Sequence, residues 1–136
     1  MTLERLTSRI SARLGSGALS EVSGATVTVD VPPHRWIEAL LFARDELGCD
    51  AFDWLSAVDE LTDGFAIVAH VYSSARGTAS PHLLLRTRVP AGVPHLPTAT
   101  SVYSGAAWYE RDTAHTFGVV FDGHPDPVPL LLPDGF

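Results

Sequence analysis

The run Trp108-Tyr109-Glu110-Arg111-Asp112, followed by His115, Phe117-Gly118 and Phe121-Asp122-Gly123-His124-Pro125, gathers acids, imidazoles, an arginine and aromatic rings more densely than any other stretch of the chain. These residue types could do three kinds of chemistry. His115, His124, Asp112 and Asp122 offer the donors of a carboxylate–histidine metal site. The six histidines (His34, His70, His82, His95, His115 and His124) nevertheless form no HxH or HxxxH pair, so no spacing argues for ligands held on one face. Glu110 and Asp112 could move protons, but two positions apart on a helix they point to different faces and cannot share one. Asp59-Glu60 reads as a strand end entering a turn. The third kind of chemistry is recognition. Glu110-Arg111 is either a solvated helical ion pair or part of an interface, where Trp, Tyr and Arg carry most of the binding energy. A guanidinium beside aromatic planes can pair with a partner carboxylate while stacking. From the residues alone, an interaction surface and local core packing both stand.

Other catalytic patterns are missing. No GxSxG elbow, GxGxxG turn or phosphate-binding loop occurs, and Gly15-Ser16-Gly17 precedes a strand instead of following one. Cys49, the one cysteine, can make no internal disulfide or iron–sulfur site and reads as a small buried residue. No cofactor is expected. A small stand-alone enzyme built on His115, His124 and Asp122 is the alternative from a different class.

The surrounding composition narrows the setting. A chain of 136 residues with 46% apolar and 18% charged side chains suits one soluble domain. The net charge is −7 and all nine basic residues are arginine, which argues against nucleic acid and against direct binding to an anionic membrane. No apolar run approaches the ~20 residues of a membrane span. The first residues, MTLERLTSRISARLG, lack the apolar stretch of a secretory signal, so a cytoplasmic location is expected.

The elements that must position the C-terminal run follow from periodicity. Leu3, Leu6, Ile10 and Leu14 predict an amphipathic helix capped by Thr2, and residues 15–24 read as a Gly/Ser-rich linker. Residues 1–24 are therefore expected to precede a domain spanning 25–136. Val27, Val29 and Val31 alternate with polar residues as in a half-buried strand, which Pro32-Pro33 ends. Pro33 opens a helix carrying Trp36, Ile37, Leu40, Leu41 and Leu47, with Gly48 as its stop. Residues 52–59, 65–72 and 82–89 read as strands joined by Thr62-Asp63-Gly64 and by the polar stretch 73–80. Such short links imply antiparallel neighbours. In the last strand Leu83, Leu85 and Val89 share one face, and His82, Arg86 and Arg88 the other. Residues 90–97 read as an irregular loop and 98–116 as one or two short helices, and long regular structure is excluded after Phe117. The expected fold class is α+β, an antiparallel sheet packed against helices, in a single domain with an irregular C-terminal segment.

The run WYERDTAHTFGVVFDGHP resembles the signature of the 30-kDa subunit family of respiratory complex I, the bacterial NADH–quinone oxidoreductase. Trp108, Tyr109, Glu110, Arg111, Phe117, Gly118, Phe121, Gly123, His124 and Pro125 match that pattern in type and spacing. The agreement upstream, to about residue 25, is looser and ends on Ala57-Val58-Asp59. The sequence departs at Asp112, which replaces a glutamate, and at His115, which replaces an aspartate. It departs again at Asp126-Pro127-Val128-Pro129, where the family has a basic stretch, and it stops at Phe136 without the family's basic tail. The resemblance implies a cofactor-free structural subunit of the peripheral arm of a complex that passes electrons from NADH to quinone and translocates ions. Its partners would be the quinone-site and iron–sulfur subunits, and the ten matching residues would form the docking surface. It would sit on the inner face of the cell membrane through those partners, with no insertion of its own. The same plan occurs in membrane-bound hydrogenases and related dehydrogenases, the same-class alternative.

Overall fold

The computed structural model describes residues 3–75 and 82–125. The helix α1 (Leu3–Leu14) buries Leu6, Ile10 and Leu14, the stripe its four-residue spacing predicts, while the Thr2 cap lies outside the described residues. The next segment corrects the sequence reading. The supposed linker 15–24 holds a helical turn at Gly15–Gly17 and then strand β1 (Leu19–Ser23), which pairs antiparallel with β2 (Thr26–Asp30). All five β1 side chains are exposed, so no alternation marks the strand, and only its backbone pairing makes it one.

After Pro32 a helical turn at Pro33–Arg35 leads into α2 (Trp36–Asp45). Trp36, Ala39, Leu40, Phe42 and Ala43 face inward, whereas Leu41 is exposed. Gly48, at φ +73°, turns the chain so that Leu47 and Cys49 return to the core. Burial pushes the Cys49 thiol up to about 12, which removes it as a thiolate nucleophile.

The strands β3 (Ala51–Asp59), β4 (Phe65–Tyr72) and β5 (His82–Val89) complete a five-stranded sheet in the order β1-β2-β5-β4-β3. The β3–β4 and β4–β5 pairs are antiparallel, as their connections predict. The β2–β5 pair is parallel and corrects the expectation of a wholly antiparallel sheet. The chain leaves β2 through α2 and returns to its side only after the β3–β4 hairpin, a crossover long enough for a parallel neighbour. The class remains α+β.

One sheet face packs against α1 and α2 through Val27, Val29, Leu55, Ile67, Leu83 and Leu85, all at most 2% exposed. The other face carries His82, Arg86 and Arg88 as expected, and the two arginines are paired. Arg86 makes a two-pronged contact with Asp30, its register partner across the parallel pair, and Arg88 bridges Asp30 and Glu60. Burial would push the Asp30 carboxyl up, but the two guanidiniums outweigh it and hold it below its ordinary range.

Beyond β5, residues 90–97 are less irregular than the sequence suggests, because β6 (His95–Pro97) pairs parallel with β7 (Val120–Asp122). Between them runs a single helix, α3 (Ala106–Phe117), ended by Gly118 in the left-handed conformation.

Two glycines with positive φ make different demands. At Gly64 (φ +90°) a Cβ would lie 2.2 Å from the Val89 carbonyl oxygen, whereas at Gly118 (φ +77°) it would meet nothing within 4 Å. Gly118→Ala should therefore cost only the left-handed penalty of about 1–2 kcal/mol. Gly64→Ala should cost more than about 3 kcal/mol, because backbone must move as well. Urea midpoints of the two variants compare them directly, and equal losses would refute the steric argument.

Candidate functional site

The C-terminal run occupies α3, the turn after it and β7. What orients α3 is its inner stripe, Ala106, Glu110 and Thr113, all buried. Tyr109 packs on Phe52 of β3 with ring centroids 5.8 Å apart, and Phe117 meets Phe65 of β4 edge-on at 5.9 Å. The helix thus lies along the β3 side of the sheet.

Glu110 corrects its reading as half of a solvated pair or as a docking residue. It is 0% exposed. Its Oε2 accepts the Ala99 N–H at 2.7 Å and its Oε1 accepts the Thr98 hydroxyl. Burial pushes this carboxyl up from its ordinary value, against the opposing pull of those two donors and of nearby His124. The His124 ring is also interior, with its side chain 4% exposed and Nε2 3.9 Å from Glu110 Oε1. Nε2 lies 2.9 Å from the Ala107 carbonyl. A carbonyl can only accept, so Nε2 carries a hydrogen.

The Phe121–His124 turn closes around the same loop. Phe121 is buried, Gly123 adopts φ +85°, and the His124 N–H reaches the Phe121 carbonyl at 3.2 Å. Thr98 is held at both ends, its N–H donating to the Asp122 carbonyl at 2.9 Å and its hydroxyl to Glu110. Nothing in the sequence marked Thr98, Ala99 or the Ala107 carbonyl as partners, because each link joins residues brought together only by the fold.

The ten residues expected to dock therefore divide. Glu110, Phe121 and His124 hold the interior, and Tyr109 and Phe117 are half-buried against the sheet. Trp108 is 52% exposed and stands edge-on to Tyr109 at 5.1 Å. Gly118, Gly123 and Pro125 are exposed, and Arg111 is half-buried at the surface of α3. The His115, His124 and Asp122 trio is not assembled as a site. Asp122 turns to His95 at 3.1 Å, and His115 is exposed. Among the described residues no three His, Cys, Asp or Glu side chains converge as metal ligands. The outer sheet face does hold a chain that the histidine spacing hid. Asp53 Oδ2 lies 2.8 Å from His70 Nδ1, and His70 Nε2 lies 3.1 Å from His82 Nδ1. Strand alternation, which places His70 and His82 on one face of neighbouring strands, was the signal for it.

The buried carboxylate makes a pH prediction. Because burial raises the folded-state pKa of Glu110 above 4.5, its contribution to stability is full below that pH and is lost as pH rises through the folded value. Glu110→Gln never ionises. It should carry a fixed loss of about 1–2 kcal/mol from one forfeited acceptor. Relative to wild type it should then gain, by at most about 1.4 kcal/mol per pH unit, as pH rises from 4.5. Urea unfolding at several pH values measures this, and a constant difference would refute the raised pKa.

Residues 29–136 match the family described as respiratory-chain NADH dehydrogenase, 30 Kd subunit. The chain is 36% identical over 115 residues to the NADH-quinone oxidoreductase subunit designated C in Salinispora tropica, covering 83% of this chain and 47% of that protein. It is 35% identical over 131 residues to the same subunit of Rhodobacter capsulatus, covering 91% and 62% respectively. It thus spans 47% to 62% of the length of these two relatives. Its fold superposes on the trypsin-resistant fragment (1-134) of Nqo5 with a TM-score of 0.77 at 29% identity, over 93% of this chain and 99% of that one. A chain of the membrane-bound sulfane sulfur reductase, an archaeal respiratory membrane complex, gives 0.81 at 25% identity, over 97% and 78%. The matched stretch includes the end of β2, strands β3 to β5, α3 and the Gly-His-Pro turn, and this chain belongs to the 30-kDa subunit family of respiratory-chain NADH dehydrogenase.

Proposed function

We propose that this chain is a cofactor-free structural subunit in the peripheral arm of an NADH–quinone oxidoreductase, docked through the outer side of α3 and the turn that follows it. In that complex electrons pass from NADH to quinone with ion translocation, and this subunit contributes position, not chemistry. Its partners are the quinone-site and iron–sulfur subunits, which hold it at the inner face of the membrane. Family membership supports this reading. So does the lack, among the described residues, of any helix long and apolar enough to cross a membrane.

The observation that carries the docking role is Trp108. A tryptophan left 52% exposed on a helix whose opposite side is pinned by Glu110 is the residue type and placement of an interface anchor. Arg111, one turn further along, adds a half-buried guanidinium to the same side of α3. The likeness to the archaeal sulfane sulfur reductase complex favours a second reading, a matching subunit of a related membrane-bound complex. The subunits that accompany the chain separate the two.

The test is affinity purification of the tagged full chain from solubilised native membranes, with mass spectrometry of its companions. Recovery of quinone-site, iron–sulfur and NADH-oxidising subunits identifies the first reading. Trp108→Ala should cut that recovery by about tenfold or more while leaving the melting temperature of the isolated chain unchanged. Arg111→Ala should do the same. If it unfolds the chain instead, Arg111 belongs to the core and its docking role fails.

A further inference from the structure

The outer sheet face holds a line of polar groups that docking through α3 leaves unused. Asp53 Oδ2 lies 2.8 Å from His70 Nδ1, and His70 Nε2 lies 3.1 Å from His82 Nδ1. The two imidazole centroids are 5.3 Å apart and their planes differ by 20°. With the nitrogens so much closer than the centroids, the rings meet end to end, as an N–H···N hydrogen bond requires. Trp54 stands 5.9 Å from the His70 ring, and Tyr72 lies beside both imidazoles, 5.9 Å from His70 and 5.4 Å from His82. The His70 side chain is left 16% exposed, whereas Asp53 at one end of the line is 49% exposed. His82, at the other end, is half-buried. Uncharged Leu84 of β5 stands opposite His70, and uncharged Thr26 of β2 opposite His82. Further along the face Arg86 and Arg88 are taken up by Asp30 and Glu60, and β1 adds the exposed Glu21.

The donors and acceptors fix where the hydrogens sit. A carboxylate only accepts, so His70 Nδ1 carries the hydrogen of its bond to Asp53. A neutral His70 then has a bare Nε2, and His82 Nδ1 must donate to it. His82 Nε2 is left with its lone pair and has no hydrogen-bond partner among the described residues. We propose that Asp53, His70 and His82 form a binding site for a single proton, admitted at His82 Nε2. As that proton adds, the Nδ1 hydrogen of His82 crosses the 3.1 Å link to His70 Nε2. His82 ends neutral with its hydrogen on Nε2, and His70 carries the charge against the Asp53 carboxylate as a charge-assisted pair. The link survives with its direction reversed, and the site passes from one negative charge to none. A second proton has no place, because two N–H groups would then face each other and the link would break. The site is independent of the docking role of α3.

Nitrogen NMR of the isotope-labelled full chain tests it, because ring nitrogen shifts separate protonated from bare positions in each imidazole. At about pH 8 both rings should hold their hydrogen on Nδ1. As the pH falls towards about 5, both should change in one common step. After it His70 is protonated on both nitrogens and His82 on Nε2 alone. His70→Ala removes the acceptor of the link, so His82 should lose its Nδ1 preference while still binding one proton. A His82 hydrogen on Nε2 at about pH 8 overturns the proposal. So does a step that charges both rings at once, a charge that stays on His82, or no step at all. A His70→Ala chain whose His82 keeps its hydrogen on Nδ1 overturns it too, because something other than His70 then holds that ring. Should the variant not fold, the wild-type spectra decide alone. None of these results bears on the docking role.

Discussion

The carboxylate of Glu110 is the constraint on which this end of the molecule depends. A carboxylate taken out of water costs several kcal/mol unless donors replace its hydration. Here the Thr98 hydroxyl and the Ala99 N–H do so, one to each oxygen. Those two donors belong to the loop after β6, so satisfying the charge fixes that loop against α3. Thr98 in turn holds the Asp122 carbonyl, and His124 holds Ala107, so the turn beyond α3 is tied to the same point. The geometry of a helix does the rest. Residues two apart point about 200° from one another, so anchoring Glu110 inward obliges Trp108 to face outward. The exposed tryptophan is thus a consequence of the buried acid, and the two are parts of one device.

The sheet is organised by a comparable division. Its inner face supplies the apolar wall for α1 and α2, and its outer face turns its polar side chains on one another. Asp30 joins the parallel β2–β5 pair through Arg86 and recruits Arg88, while Asp53, His70 and His82 form a second chain across β3, β4 and β5. Ion pairs at this depth add little net stability, but register is a different matter. A one-residue slip of β5 against β2 would remove Arg86 from Asp30 and turn Leu83 and Leu85 outward together. The polar and apolar faces therefore specify the same pairing.

How much of this was readable from sequence depended on whether the cause was local. Strands β2 and β5 announce themselves through alternation, β4 through an apolar run bounded by turn residues, and helix α2 through its apolar spacing between Pro33 and the stop at Gly48. Strand β1 does not, because every side chain it carries is exposed and its identity rests on β2 alone. The parallel pairing of β2 with β5 was hidden for a related reason. Short links constrain neighbours in sequence, whereas this pair is set by a crossover of several elements. Within α3 the buried positions Ala106, Glu110 and Thr113 are small or polar, so no apolar stripe betrayed which side faced in. The family pattern marked residues there without saying which face inward, and the contacts of Glu110 with Thr98 and Ala99 place that residue in the interior.

That division gives meaning to the places where this chain departs from the family pattern. Glu110, Phe121 and His124, which match it, are the residues whose atoms close the buried network. Asp112 and His115, which do not, are both exposed on α3. Shortening a glutamate to an aspartate, or exchanging an acid for an imidazole, changes nothing in the hydrogen bonds that hold the loop and turn. It does change the charge presented beside Arg111, with a hydrogen-bond donor where the pattern has a carboxylate. Electrostatic complementarity across an interface governs partner choice more than fold stability. On the docking function proposed above, the departures bear on the partner and leave the buried network of Glu110 unaltered.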